Sequence, residues 1–237
     1  MRTFRARTLR AGRRLAWSLV VAGVVACNTL PATALELRQD GLSFSDEGGG
    51  FVLKSVSGTG TLSDPFVVLE EVTDPRQAVL VIRGMKEVGN RIGTHHIAGV
   101  AVTKVVINRT DRTWQNFQLE LRELMERHSS YEDGLSFAQN TPLSDAVTTS
   151  SFPIIQRIDE PQDTLAFSGK FVQPGDSATF SFLITDMSPV SKFFLVQQPL
   201  EPVSETTPVA SPAIQVALAG HHMTRHTDSR AQSSVGF

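Results

Sequence analysis

Cysteine is almost absent from this chain: Cys27 is the only one in 237 residues. A chain cleaved beyond it has none, which excludes disulfides, thiol catalysis and cysteine metal sites together. No G-x-S-x-G elbow and no H-E-x-x-H helix motif occurs, so two common hydrolase signatures are missing. Ser57-Gly58-Thr59-Gly60-Thr61 has the glycines of a phosphate loop but not the lysine or the helix, and reads as a turn. The apolar run Leu15 to Ala26 is too short to span a bilayer comfortably.

That run belongs to a leader. Arg2, Arg5, Arg7, Arg10, Arg13 and Arg14 precede it with no acid among them, and Ala32-x-Ala34 follows it. A basic start, an apolar centre and small residues at the end form the pattern of an export signal over residues 1–34. Two variants stay open beside cleavage after Ala34. Val24-Val25-Ala26-Cys27 is close to a bacterial lipobox, which would lipidate Cys27 and tether the chain to a membrane. Arg13-Arg14 raises a twin-arginine route, although Leu15-Ala16-Trp17 fits that pattern poorly.

Charge changes on export. Taking the six leader arginines from 22 basic residues leaves 16 against 24 acidic ones, a net charge of −8. Phosphate backbones repel such a chain, so nucleic acid is excluded as a partner. Solubility outside the cytoplasm, or a divalent cation, fits better.

The body of the chain reads as strands and turns. Val100 to Ile107 is rich in β-branched residues with Lys104 as its one charge, and Asn108 to Arg112 form a polar break. Phe117, Leu119 and Leu121 then alternate with polar residues, the period of a half-buried strand, so the two legs predict a central hairpin. Further strands are predicted at Phe51 to Leu53, Phe66 to Leu69, Ala78 to Ile82, Phe152 to Ile158, Thr164 to Phe167, Thr179 to Thr185 and Lys192 to Gln197. Pro153 limits its strand to an edge or a strand start. Gly48-Gly49-Gly50 predict a flexible loop, and Leu121, Leu124, Met125 and His128 have the spacing of one short helix. The string Asp-Gly-Leu-Ser-Phe occurs at Asp40 to Phe44 and again at Asp133 to Phe137, each a turn followed by a hydrophobic plug. Beyond Pro199 proline, serine and threonine dominate, which predicts a disordered tail over residues 199–237. The fold class is therefore mainly β, an antiparallel β-sandwich over residues 35–198 with long loops.

Two segments carry a resemblance. Val105 to Leu121, a strand ending in Asn, a short turn, Trp, then Phe and a closing Leu, resembles a segment of exosortase-associated bacterial surface proteins. Val172 to Asp186, with Pro174-Gly175 before alternating aromatics, resembles the closing hairpin of immunoglobulin-like domains. The resemblance implies an immunoglobulin-like fold in an exported protein, and no activity.

Acidic loops are the best metal candidates, above all Asp159, Glu160 and Asp163, since calcium takes oxygen ligands from carboxylates and loop carbonyls. His95-His96 lies in a glycine-flanked loop, and adjacent histidines rarely point at one ion. Trp114 and Tyr131 have the chemistry to stack on a sugar, although burial accounts for Trp114 more simply. A hydrolase would need a deep cleft in which groups such as Glu160, Asp163 or His95 converge. The expectation is an exported, periplasmic or extracellular, non-enzymatic protein with no cofactor, acting on an envelope or extracellular protein or a glycan, with a calcium- or carbohydrate-binding accessory domain as the alternative.

Overall fold

The computed structural model describes residues 33–200. The predicted signal, Cys27 and the tail beyond Leu200 lie outside the described residues. Thirteen strands and two short helices follow in order. The strands are β1 (Glu36–Gln39), β2 (Leu42–Ser45), β3 (Phe51–Ser57), β4 (Phe66–Val72), β5 (Ala78–Arg83), β6 (Ala98–Asn108) and β7 (Trp114–Arg122), then β8 (Leu135–Ser136), β9 (Val147–Thr149), β10 (Ile154–Ile158), β11 (Thr164–Val172), β12 (Ser177–Asp186) and β13 (Lys192–Leu200). Helix α1 is Met85–Val88 and α2 is Leu143–Ala146. One sheet has seven strands in the order β1-β2-β5-β13-β7-β11-β10; the other runs β3-β4-β6-β12-β8, with β9 also on β12.

The two sheets pack face to face as a sandwich. Even-numbered residues of β6 and odd-numbered residues of β13 turn inward, the alternation that a pleated strand imposes. Aromatic rings close the space between the sheets. Phe180 of β12 lies 4.8 Å from Phe117 of β7 and 4.7 Å from Phe167 of β11, and Phe44 of β2 meets Phe66 of β4 at 5.4 Å. Each such side chain removed from water contributes roughly 1.5–3 kcal/mol. Trp114 is buried beside Phe117 and its ring nitrogen donates to Thr110, so it is a core residue.

Four expectations are corrected. The central pair of strands is not a hairpin: β6 lies in one sheet and β7 in the other. Asn108 turns the chain across the gap, donating its amide to the carbonyls of Arg112 and Val172 and accepting from Thr110. The β11–β12 connection crosses at the same place, where the Gly175 amide donates to the Asn108 carbonyl at 2.7 Å. Second, the smaller sheet is mixed, because β4 and β6 run parallel. Third, the helical spacing at Leu121 to His128 forms no helix; β7 continues to Arg122, where Leu121 pairs with Leu195, and the sheet's hydrogen bonds outweigh a weak local period. Fourth, Gly48 to Gly50 make a tight turn in which Gly49 and Gly50 take positive φ and a Cβ on Gly50 would strike the Gln77 carbonyl.

Both copies of Asp-Gly-Leu-Ser-Phe are a turn and a plug. Gly41 and Gly134 take φ of 90° and 71°, and Phe44 and Phe137 are fully buried in the core. The copies sit in different sheets, at β2 and β8.

Candidate functional site

At one end of the sandwich three segments meet: Ser129 to Gly134, Asp159 to Asp163 between β10 and β11, and Asp186 to Ser188 at the end of β12. Asp133 organises the first. It accepts from the Ser129 hydroxyl and from the amides of Ser130 and Leu135, which closes the loop ahead of β8. The Ser188 hydroxyl donates to the Asp133 carbonyl and the Met187 amide to the Gly134 carbonyl, so the first and third segments are tied together.

The carboxylates around Asp133 are crowded. Asp163 is 2% exposed and its Oδ2 has no hydrogen-bond partner. Burial pushes its carboxyl up to about 7, and the charges of Glu160, Asp133 and Asp159 add to the effect while Ser129 opposes it. Asp186 is fully buried; one oxygen accepts from the Ser188 amide and the other is unpartnered. Burial pushes it up to about 6, with Glu123 and Asp133 adding. Burial also raises Glu160 and Glu123, and Glu160 keeps one sealed oxygen unpartnered while Gln139 donates to the other at 3.2 Å.

Nearby cations are engaged elsewhere. Arg122 binds Glu120 and the Met125 carbonyl, and His128 also leans on Glu120. Arg157 reaches the carbonyls of Phe137, Ala138, Gln139 and Thr141 and pairs with Asp159 at 2.8 Å.

Beside this cluster opens a cleft of about 350 Å³ lined by His95, His96, Tyr131, Glu132, Gln139, Asn140 and Glu160. Tyr131 stands 79% exposed at its rim. Burial lowers the His96 imidazole's pKa, with His95 adding to it, which favours the neutral ring. A second hollow of about 310 Å³ continues past the same two histidines to Ile92, Thr94 and Asp145. A further hollow, about 450 Å³, flanks the β1–β2 hairpin and carries Arg38, Asp40 and Arg83 but no aromatic ring.

Of the residues singled out in the sequence, Glu160 and His95 therefore share a cleft with Tyr131. Asp163 sits behind it in the acidic cluster, and Asp159 is drawn off by Arg157. Neither histidine is hydrogen-bonded to Glu160, and among the described residues no three acidic, histidine or cysteine side chains converge on one point. Sequence reasoning missed Asp186, Glu123 and the organising role of Asp133, which reach the site from separate segments. The second Asp-Gly-Leu-Ser-Phe string and the adjacent acids Glu132 and Asp133 were the pointers to Asp133 in the sequence. No family model and no curated protein matches the chain.

Proposed function

We propose that the chain is an exported, immunoglobulin-like, non-enzymatic adhesion module that holds a glycan at the loop end of its sandwich. The observation that carries this reading is the cleft in which Tyr131 stands exposed beside Gln139, Asn140, Glu132 and Glu160. An exposed aromatic face beside amide and carboxylate groups suits a sugar, whose C–H face stacks on a ring while its hydroxyls take hydrogen bonds. Loops on a rigid sheet scaffold are where such contacts are built. A panel of immobilised oligosaccharides probed with the full chain tests it. Binding that falls at least tenfold in Tyr131→Ala, with the thermal transition unchanged, is expected. Retention of full affinity by that variant, or cleavage of any bound oligosaccharide, overturns it.

Calcium is the second reading, favoured by the unpartnered, sealed oxygens of Glu160 and Asp163, whose charges oppose each other. Ca²⁺ takes six to eight oxygens and relieves the repulsion among them. Calcium at millimolar concentration should raise the melting temperature at pH 8 and do so less at pH 5, where protons compete for the same carboxylates. No shift at either pH removes this reading and leaves the cleft untouched.

A further inference from the structure

Inside the sandwich three polar side chains face the core. Lys104 of β6 and Glu70 of β4 are both fully buried, with Nζ 2.6 Å from Oε2. The other Glu70 oxygen, Oε1, has no partner. Gln197 of β13 is also fully buried, and neither atom of its amide is hydrogen-bonded. Leaving such groups unmade is costly, so their retention in a core calls for a reason.

Ring contacts fix how the two sheets face each other at this level. Phe44 stands in the row of Ile82 and Phe193, and its contact with Phe66 sets that row over Val102 of β6. Phe117 stands beside Pro199, and its contact with Phe180 sets that row over Lys104. The inward positions of β13 between those rows are Leu195 and Gln197, which lie over the Val102 to Lys104 stretch. An amine, a carboxyl and an amide thus share one dry layer of the core.

We propose that Lys104 and Gln197 become joined by an intramolecular isopeptide bond, with Glu70 carrying the protons. Glu70 takes a proton from the Lys104 ammonium, and the neutral amine attacks Cδ of Gln197. The protonated Glu70 stabilises the oxygen of the tetrahedral carbon, and the proton shed by the attacking nitrogen passes through Glu70 to the leaving nitrogen. The bond from Cδ to that nitrogen breaks and ammonia departs. Lysine and glutamine become one secondary amide plus ammonia, with no oxidation or reduction and no outside reactant. Desolvation lowers the pKa of Lys104, which favours the neutral amine that attack requires. Fixed placement of the two groups supplies the effective concentration, and the product replaces a buried ion pair with neutral groups.

The consequence is a covalent tie between β6, the middle strand of one sheet, and β13, the middle strand of the other. A chain without cysteine pairs would acquire the constraint on its unfolded state that a disulfide supplies elsewhere.

Intact mass of the purified full chain is the test, followed by tandem mass spectrometry of its proteolytic peptides. The expected mass is lighter than the sequence by one ammonia, with a branched peptide joining Lys104 to Gln197. Glu70→Gln and Gln197→Leu should each restore the full mass; the second keeps an apolar side chain of similar bulk in the core and guards against a fold failure in the first. A full-length mass with both peptides linear overturns the proposal, and so does an ammonia loss that maps to a succinimide elsewhere. A branched peptide that persists in Glu70→Gln overturns the role of Glu70.

Discussion

In the middle of the sandwich Glu70 meets Lys104 at 2.6 Å, whereas at its loop end the equally sealed Asp163 and Asp186 face other carboxylates. Both regions bury charge. The central pair arises from neighbouring strands in parallel register, where Val68 stands beside Lys104 and Glu70 follows one inward step later. The loop end draws its acids from separate segments, and the arginines around it are committed to carbonyls and to other acids. A strand pair inside a sheet fixes partners for its side chains, but a meeting of loops fixes backbone positions and leaves the carboxylates to find a proton, a cation or a ligand.

The largest effect should come from unpairing the central charges. Lys104→Met leaves Glu70 buried alone, and adding Glu70→Leu removes the stranded carboxylate. Both proteins lack the lysine amine, so the difference between them isolates the unpaired acid. The double variant should be more stable than the single one by ~3–5 kcal/mol in urea denaturation. Equal stability would mean that water reaches Glu70 and that the core is less dry than its packing implies.

Acidity should act on the loop end with a definite sign. An unfolded aspartate titrates near 3.8, while folded Asp163 and Asp186 titrate at about 7 and about 6. Between those values the folded chain binds more protons than the unfolded one, so stability is highest at the acidic end of the window and falls as pH rises through 7. The melting temperature should accordingly be higher at pH 5 than at pH 8. Asp163→Asn should flatten that slope and stabilise the chain at pH 8 by roughly 1–3 kcal/mol, the scale of an unmet buried polar group. A slope that survives in this variant assigns the effect to Asp186.

The same contrast explains what was legible in the sequence. Period-two alternation marked the inward faces of β7 and β12, and β-branched content marked β6, because each strand carries its own pattern. It did not say which strands are neighbours, so β6 and β7 read as a hairpin although they lie in different sheets. Lys104 was visible as a lone charge in an apolar strand. Its partner was readable only by extending the inward series Phe66, Val68 through Glu70 to Val72. Asp159, Glu160 and Asp163 were grouped because they are adjacent in sequence. Asp133, Asp186 and Glu123 join them through tertiary folding, and no local pattern announces that meeting. Strands β1 and β2 were missed because the Gly48 to Gly50 run suggested a loose linker where the structure has a turn.

The smallest effect concerns Arg157, whose side chain is mostly buried and bound to carbonyls of the 137–141 loop rather than to Asp163. Arg157→Ala should cost about 1 kcal/mol, since Gln139 and Thr141 are half-buried and their carbonyls regain part of their hydrogen bonding from water. Its second consequence is electrostatic. Removing the guanidinium unpairs Asp159, one of the charges that already raise Asp163, so the negative field at the loop end grows. The fall in melting temperature between pH 5 and pH 8 should therefore be steeper in Arg157→Ala than in the unaltered chain. Hydrogen exchange should quicken at Phe137 to Thr141 and stay slow in β6. A parallel shift of the whole pH curve, with no change in slope, would mean that Arg157 serves the loop alone and that the acids are insulated from it.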